Sequence, residues 1–253
     1  MQWSQLRRHQ LDAMSRQTPV VLPVAATEQH GKHLPFNTDC VIGEAIARRT
    51  DELLDDGLLI LPTQQIGCSE HHMRFVGSLT LTHETFRRCV TDTVDSVIRH
   101  GFRRVLILNS HGGNQAINGV LGEQLGQTYP NVEILVTSWW QAANAALRPI
   151  QEGPPGSVGH ACEFETSVML AVAPDLVDMS LAEDDGIQHR VESMHFDLIR
   201  GAAASCYRPF DVLSGNGVYG KPSLATEEKG QRILEAAATA IQTLIAEFWP
   251  DRD

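Results

Sequence analysis

The sequence predicts an α/β fold in which a mostly parallel sheet is covered by helices on both faces. Two observations predict it: short β-branched runs that are apolar on both faces, and segments of helical periodicity that alternate with these runs. The chain has 253 residues and shows neither an internal repeat nor a clear linker. We therefore expect one domain over residues 1–253, built as a three-layer sandwich.

Four apolar runs predict the strands of this sheet. They are Val20–Ala26, Leu58–Thr63, Arg103–Asn109 and Val132–Ser138. In open α/β sheets, ligands bind beyond the carboxyl ends of the strands. Chemistry is therefore expected in the loops that follow these runs.

Helical periodicity fills most of the intervals between and after the strands. The predicted helices run from about Val41 to Leu54, from near Thr82 to Gly101, from about Gln115 to Gln127, over Glu163–Val172, and from the N-cap Thr226 to about Phe248. A glycine-rich segment at 215–220 predicts a loop. This alternation of strands and helices is typical of a parallel α/β sheet.

Composition and charge exclude several classes of protein. The formal net charge of -11 disfavours a nucleic-acid partner, because phosphate binding needs clustered Lys and Arg. No apolar run approaches the roughly 20 residues of a membrane-spanning helix, and the N-terminal residues lack the apolar stretch of a signal peptide. Five widely spaced cysteines without a C-x-x-C pair argue against disulfides and against a cysteine-type zinc site. We expect a cytoplasmic protein with no membrane partner.

The first candidate site follows the first predicted strand. Glu28 and His30 are two residues apart, so in extended backbone they project to the same side. Gly31 and Pro35 allow the loop to fold back and bring Asp39 towards them at the start of the next helix. Two carboxylates and an imidazole that converge in this way suit Zn²⁺, Mn²⁺ or Fe²⁺. The neighbouring Lys32 and His33 are expected at the surface.

The second candidate is His111, which follows the third strand in the run Asn-Ser-His-Gly-Gly-Asn. The glycines permit tight turning and close approach of the backbone to a ligand. An ordinary strand-to-helix turn would look similar, and so would the oxyanion loop of a serine esterase. A serine esterase also needs a G-x-S-x-G elbow, which this chain lacks. We therefore interpret His111 as a metal ligand.

The third candidate is His160 with Glu163 and Glu165 in the helix that follows. The imidazole suits either proton transfer or coordination, while one of the acids is explained by the helix N-terminus alone. Weaker candidates are His72, after the second strand, and the pair Trp139 and Trp140, after the fourth. One tryptophan could wall a substrate pocket by stacking, and the other is expected in the core.

Three motifs in this order resemble the creatininase (creatinine amidohydrolase) family: E-x-H-G-x-H-L-P-x-x-T-D, N-x-H-G-G-N and H-A-x-E-x-E-T-S. The resemblance covers nearly the whole chain. It implies one α/β domain, often assembled as a hexamer, with two divalent metal ions. Glu28 and His111 would hold one metal and His30 the other, with Asp39 bridging them.

The second motif departs from creatininase proper at one position. The family's glutamate in N-x-H-x-E-N, a ligand of the second metal, is Gly113 here. Glu163 occupies a position that is apolar in creatininase proper, so we expect it to supply the missing carboxylate, with Glu165 as the alternative. The chain resembles other branches of the family at least as well as it resembles creatininase proper. These branches hydrolyse a nucleotide formamide, trim a precursor peptide or open a keto-inositol ring.

The expected activity is hydrolysis of an amide C–N bond in a small or cyclic compound by metal-activated water, with Zn²⁺ as the first choice of metal. His160 is expected to donate a proton to the leaving nitrogen, and His72, Trp139 and Trp140 to contact the substrate. Three alternatives remain: metal-dependent opening of a cyclic ketone or lactone, a metal-free serine hydrolase, and a non-catalytic metal-stabilised binding protein. A homo-oligomer is expected from the resemblance.

Overall fold

The structure is a computed structural model that describes residues 1–186, 197–201 and 203–250. Its central sheet contains four strands: β1 (Val20–Val24), β2 (Leu59–Ile60), β3 (Arg104–Asn109) and β4 (Glu133–Ser138). The order across the sheet is β2-β1-β3-β4, and every neighbouring pair is parallel. The predicted parallel sheet is confirmed.

Helices and a small second sheet complete the described fold. In chain order the helices are α1 (Arg8–Asp12), α2 (Thr38–Leu53), α3 (His83–Arg99), α4 (Gln115–Thr128), α5 (Trp139–Ala142), α6 (Asn144–Leu147), α7 (Glu163–Val172), α8 (Phe210–Leu213) and α9 (Glu227–Phe248). The second sheet pairs β5 (Val158–His160) with β6 (Tyr219–Gly220) in antiparallel orientation. Within the described ranges, none of the helices combines the length and apolar character that crossing a bilayer requires.

The two faces of the sheet pack against different helices. Alternate residues of β1 enter different hydrophobic clusters, Val20 and Leu22 on one face and Val21 on the other, as the period of a strand requires. The first face packs against α3 and α4, and the second packs against α2, α7 and α9. This is the three-layer arrangement that the sequence predicts.

Two element boundaries differ from the predicted ones by three residues, the largest differences. The second strand ends at Ile60, before Pro62, whose nitrogen has no hydrogen to donate to a ladder. Helix α2 begins at Thr38, three residues before the predicted start at Val41, so Asp39 lies in its first helical turn. Thr82 caps α3 as predicted, because its hydroxyl accepts a hydrogen bond from the backbone nitrogen of Thr85.

Candidate metal centre

The loop after β1 and the first turn of α2 supply three acidic and imidazole side chains. Glu28, His30 and Asp39 are all buried, and their potential ligand atoms lie within 4.8 Å of one another. Ser110, at the end of β3, donates a hydrogen bond of 2.7 Å from its hydroxyl to the Asp39 carbonyl oxygen. Gly43 lets α2 approach this point, because a Cβ there would lie 2.7 Å from the Ser110 hydroxyl oxygen.

His111 reaches the same place from the end of β3. The Asn109 side chain holds its backbone at both polar atoms: Oδ1 accepts from the His111 nitrogen at 3.1 Å, and Nδ2 donates to the His111 carbonyl at 2.8 Å. His111 Nδ1 lies 3.2 Å from Glu28 Oε1 and 3.2 Å from Asp39 Oδ2. His30 Nε2 lies 3.1 Å from Asp39 Oδ1. Both imidazoles therefore flank the Asp39 carboxylate.

The turn between β5 and α7 supplies His160 and Glu165. Ala161 between them adopts a left-handed conformation with φ of 48°, which turns the chain sharply into the helix. Its nitrogen donates to Glu165 Oε2. The potential ligand atoms of His30, His160 and Glu165 lie within 4.8 Å of one another. Side chains from three segments distant in sequence thus meet at the carboxyl edge of the central sheet.

Three of these imidazoles are anchored by backbone carbonyl groups. His30 Nδ1 donates to the Glu28 carbonyl at 3.1 Å, His111 Nε2 to the Cys68 carbonyl at 3.2 Å, and His160 Nε2 to the Gln29 carbonyl at 2.6 Å. A carbonyl oxygen only accepts, so each anchored nitrogen carries the hydrogen and the other nitrogen faces the carboxylates. Anchored imidazoles of this kind are characteristic of metal ligands.

His72 belongs to the cluster but has the opposite arrangement. The Gln29 side-chain oxygen accepts from the Gly31 nitrogen at 2.9 Å, which identifies Gln29 Nε2 as the donor. That amide donates to the Gly217 carbonyl at 3.0 Å and to His72 Nδ1 at 2.9 Å. The hydrogen of the neutral His72 ring is therefore on Nε2, which lies 3.4 Å from Glu28 Oε1. His72 orients Glu28, and the ring of Phe210 stacks on it at 4.3 Å.

The structure does not bring Glu163 to this cluster. The carboxylate accepts hydrogen bonds from the backbone nitrogens of Glu152 and Gly153 at 3.0 and 2.9 Å, and from Lys229 Nζ at 2.6 Å. Residues two apart on a helix point to nearly opposite sides, so Glu163 and Glu165 cannot face the same site. The placement favours Glu165, the alternative, as the carboxylate next to His30 and His160.

Both tryptophans lie in the core. Trp139 and Trp140 are buried, and they belong to the hydrophobic cluster between the sheet, α7 and α9. Their rings pack edge to face at 5.5 Å. This position does not expose an indole face to a ligand, so the expected stacking contact with substrate is not supported for either ring.

Several residues near the cluster were not predicted from the sequence. Gln29, His71 and Phe210 all contact the candidate site, and the sequence offers only the proximity of Gln29 and His71 to stronger candidates as a signal. His33, expected at the surface, is buried, and its Nε2 lies 2.9 Å from the Thr166 hydroxyl on α7. The correction follows from the fold, because α7 covers the loop that carries His33.

The electrostatics of the cluster combine burial with close opposite charges. Burial opposes ionisation of Glu28, but the imidazoles of His111 and His72 hold its pKa well below the usual range. Burial likewise opposes protonation of His30, yet Asp39 raises its pKa to about 9. Burial raises the pKa of Glu165 to about 7. Each side chain therefore depends on its neighbours for the charge that it carries.

Three carboxylate oxygens of the cluster accept no hydrogen bond from the residues that the structure describes. They are both oxygens of Glu28 and Asp39 Oδ2, and all three are buried. A buried carboxylate without such partners is costly unless a cation compensates it. A set of carboxylate oxygens and imidazole nitrogens is the donor set that Zn²⁺ and Mn²⁺ accept. The residues present therefore fit divalent metal ions.

Comparison with known proteins gives a consistent match over the whole chain. A sequence model of the creatininase family, described as creatinine amidohydrolase, matches residues 1–245. Creatinine amidohydrolase of Pseudomonas putida is 29% identical over 252 residues, which cover 91% of this chain and 90% of the relative. Mycofactocin precursor peptide peptidase of Mycobacterium ulcerans is 28% identical, with coverage of 92% and 87%. A 3-dehydro-scyllo-inosose hydrolase of Thermotoga maritima is 24% identical, with coverage of 90% and 77%.

Solved structures give the same result for the fold. A manganese form of creatininase superimposes with a TM-score of 0.82 at 26% identity and 99% coverage of both chains. A mutant creatininase of Zn-Zn type gives a TM-score of 0.81 at 26% identity, with coverage of 99% of this chain and 98% of the other. The resemblance that the motifs indicate is confirmed by these matches.

Proposed function

Because this chain belongs to the creatininase family of metal-dependent hydrolases, we propose that it hydrolyses an amide C–N bond of a small or cyclic compound at a centre of two divalent metal ions. The observation that supports this most is the buried pair of carboxylates, Glu28 and Asp39, which face anchored imidazoles. Among the described residues, both Glu28 oxygens and Asp39 Oδ2 have no hydrogen-bond partner. Residues 1–253 would form one such domain.

The proposed ligand set divides around Asp39. Glu28 and His111 would hold the first metal, His30 and Glu165 would hold the second, and Asp39 would be a ligand of both. The distances of 3.1 Å and 3.2 Å from the two Asp39 oxygens to His30 and His111 support a bridging role. Divalent ions at such a site lower the pKa of a coordinated water from about 15.7 towards roughly 7 and polarise a carbonyl oxygen. Zinc and manganese are the favoured metals.

His160 is the proposed proton carrier. Its Nε2 donates to the Gln29 carbonyl, so Nδ1 presents a lone pair on the side of Glu28, 3.6 Å from Oε1. A neutral imidazole with this arrangement can accept a proton at Nδ1 and later donate it. Nδ1 takes a proton from water as the water oxygen bonds to the carbonyl carbon. It then delivers this proton to the leaving nitrogen as the C–N bond breaks.

The His160→Ala variant tests this role. We expect it to retain two metals per chain and to lose turnover by about 10²–10⁴-fold, the usual contribution of a positioned acid–base group. Metal content is measured by mass spectrometry, and turnover with the substrate that the screen below identifies. Near-normal turnover, or loss of a metal, would remove His160 from the role.

The substrate class has one specific rival. Similarity to the inosose hydrolase favours the opening of a cyclic ketone as a second candidate, with the same metal centre and a carbon leaving group. Metal-loaded protein should be screened against cyclic amides including creatinine, formamides, short peptides and keto-inositols. Activity on amides supports the proposal, and activity on keto-inositols alone supports the rival. Full activity after chelation would contradict both.

An apolar surface supports a homo-oligomer. Phe36, Met73, Val76 and Leu79 are all exposed, Val76 at 95%. The Phe36 ring, from the loop before α2, lies against Gly77 in the loop that carries Val76 and Leu79. Exposed apolar patches of this kind often mark protein–protein contacts. We propose that this surface contacts a second copy of the chain. Light scattering of the purified protein should give a multiple of 27.9 kDa, and a monomer at micromolar concentration would contradict it.

A further inference from the structure

The loop that carries His71 is fixed to the ends of two central strands. The Asn114 side chain holds it, because Oδ1 accepts from the Cys68 nitrogen at 2.9 Å and Nδ2 donates to the Ala25 carbonyl at 3.1 Å. The Cys68 carbonyl in turn accepts from His111 Nε2 at 3.2 Å. Two residues further on, the short 3-10 helix Glu70–His72 begins, and it presents His71 beside His111.

His71 has no role in the proposed mechanism, yet its ring lies at the cluster. Its potential ligand atom lies within 4.8 Å of those of both Glu28 and His111. The rings of His71 and His111 are nearly parallel, with centroids 5.7 Å apart and an interplanar angle of 15°. A neutral imidazole keeps a lone pair on one ring nitrogen, which is the atom that a metal ion binds.

His72 cannot replace His71 in this position. Its Nδ1 accepts from Gln29 and its Nε2 hydrogen points at Glu28, so neither nitrogen of His72 offers a free lone pair. The described residues give no corresponding hydrogen bond to a ring nitrogen of His71. Of the two adjacent imidazoles, only His71 therefore presents a ring nitrogen without a hydrogen-bond partner to the first metal's ligands.

Gly113 provides the space that the His71 ring occupies. A Cβ at this position would lie 2.5 Å from His111 Nε2 and 2.8 Å from His71 Cε1, and closer still to the Cys68 carbonyl oxygen. A side chain at this position would clash with the Cys68 carbonyl, with His111 and with His71. The glycine in the His-Gly-Gly motif therefore leaves room for the His71 ring, and no carboxylate stands there.

We propose that His71 is a further ligand of the first metal, beside Glu28, His111 and Asp39. The inference rests on the two-metal function proposed above and adds an asymmetry to it. The first metal has four protein ligands, and the second has three: His30, Glu165 and Asp39. Four protein ligands are typical of closed sites, whereas three leave a position for water or substrate. The first metal is then the tightly held one, and the second is the metal that exchanges and meets the substrate.

The test compares His71→Ala and His71→Gln with Glu70→Gln, an exposed control on the same short helix. Each metal-free protein is titrated with Co²⁺ and with Zn²⁺, while absorption spectra of the Co²⁺ forms report coordination. Wild type and the control should bind two ions with different affinities. Both His71 variants should lose about 100-fold or more in affinity for the tighter ion, since even outer partners of ligands contribute 10–100-fold. Their Co²⁺ spectra should change.

The outcomes separate the two proposals. If wild type binds two ions and both His71 variants keep its affinities and spectrum, the role of His71 is contradicted while the two-metal function stands. If wild type itself binds no more than one ion, the function proposed above fails as well. Melting of the metal-free variants shows whether the fold is retained, and the Gln variant keeps a polar side chain where Ala leaves a gap.

Discussion

Helix α7 carries two buried carboxylates in one turn, and their surroundings differ completely. Glu163 is compensated by the protein itself, through Lys229 and two backbone nitrogens within 3.0 Å. Glu165 faces the cluster of Asp39 and His30, where, among the residues that the structure describes, it receives a hydrogen bond only from the Ala161 nitrogen. The first is a closed ion pair that ties α7 to α9. The second belongs to a group whose charge balance depends on bound cations.

This difference separates structural from functional buried charge. When fixed hydrogen-bond donors satisfy the lone pairs of a buried carboxylate, its burial adds little free-energy cost, and the carboxylate needs no ligand. Glu28 and Asp39 instead keep three buried oxygens without a hydrogen bond from the described residues, and such a group is expected to be completed from outside the chain.

The largest effect is expected at Asp39. Asp39→Asn should weaken the binding of both metal ions, because one Asp39 oxygen lies next to His30 and the other next to His111. The metal ions are expected to stabilise the transition state by several kcal/mol, so their loss should lower turnover by about 10³-fold. Metal content after gel filtration and turnover measure the two effects. Retention of two ions would contradict the bridging role.

The two glutamates of α7 should respond in opposite ways. Glu163→Gln leaves Lys229 buried without its main partner, so the free energy of unfolding should fall by about 3 kcal/mol while two metals still bind. Glu165→Gln should lose one metal and leave the metal-free protein at least as stable, because a buried carboxylate next to Asp39 is removed. Urea unfolding and metal analysis of the matched pair distinguish them. Metal loss in the Glu163 variant would restore that residue as a ligand.

A smaller effect is expected from metal binding on thermal stability. Cations that bind only the folded chain at 100 times their dissociation constant should stabilise it by about 2.7 kcal/mol. For a chain of this size the melting temperature should then rise by roughly 5–10 °C. Differential scanning calorimetry of chelated and Zn²⁺- or Mn²⁺-loaded protein measures the change. The same temperature in both states would show that the cluster is not completed by cations.

The sequence predicts where in the fold this site lies better than it predicts which residues form the site. The ends of β1 and β3 place Glu28 and His111 at one edge, because parallel strands end together. The choice between Glu163 and Glu165 could not be made from sequence, since both lie in the first helical turn. It depends on Lys229, which is 66 residues away from Glu163 and pairs with it only in the fold.

Other site residues were hidden for related reasons. His71 and His72 are neighbours in the chain, and only the 3-10 turn and the Gln29 amide decide which ring nitrogen remains free. The tryptophans after β4 were expected to divide between pocket and core. Both are buried because α9 covers that part of the sheet, a contact between segments about 100 residues apart.

Diffraction from crystals of the zinc- or manganese-loaded protein at the metal's absorption edge tests the central claim most directly. We expect two anomalous peaks roughly 3.5–4 Å apart, as in two-metal hydrolases, one on each side of the Asp39 carboxylate. The first should contact Glu28 and His111, and the second His30. A single peak, or peaks away from Asp39, would contradict the account.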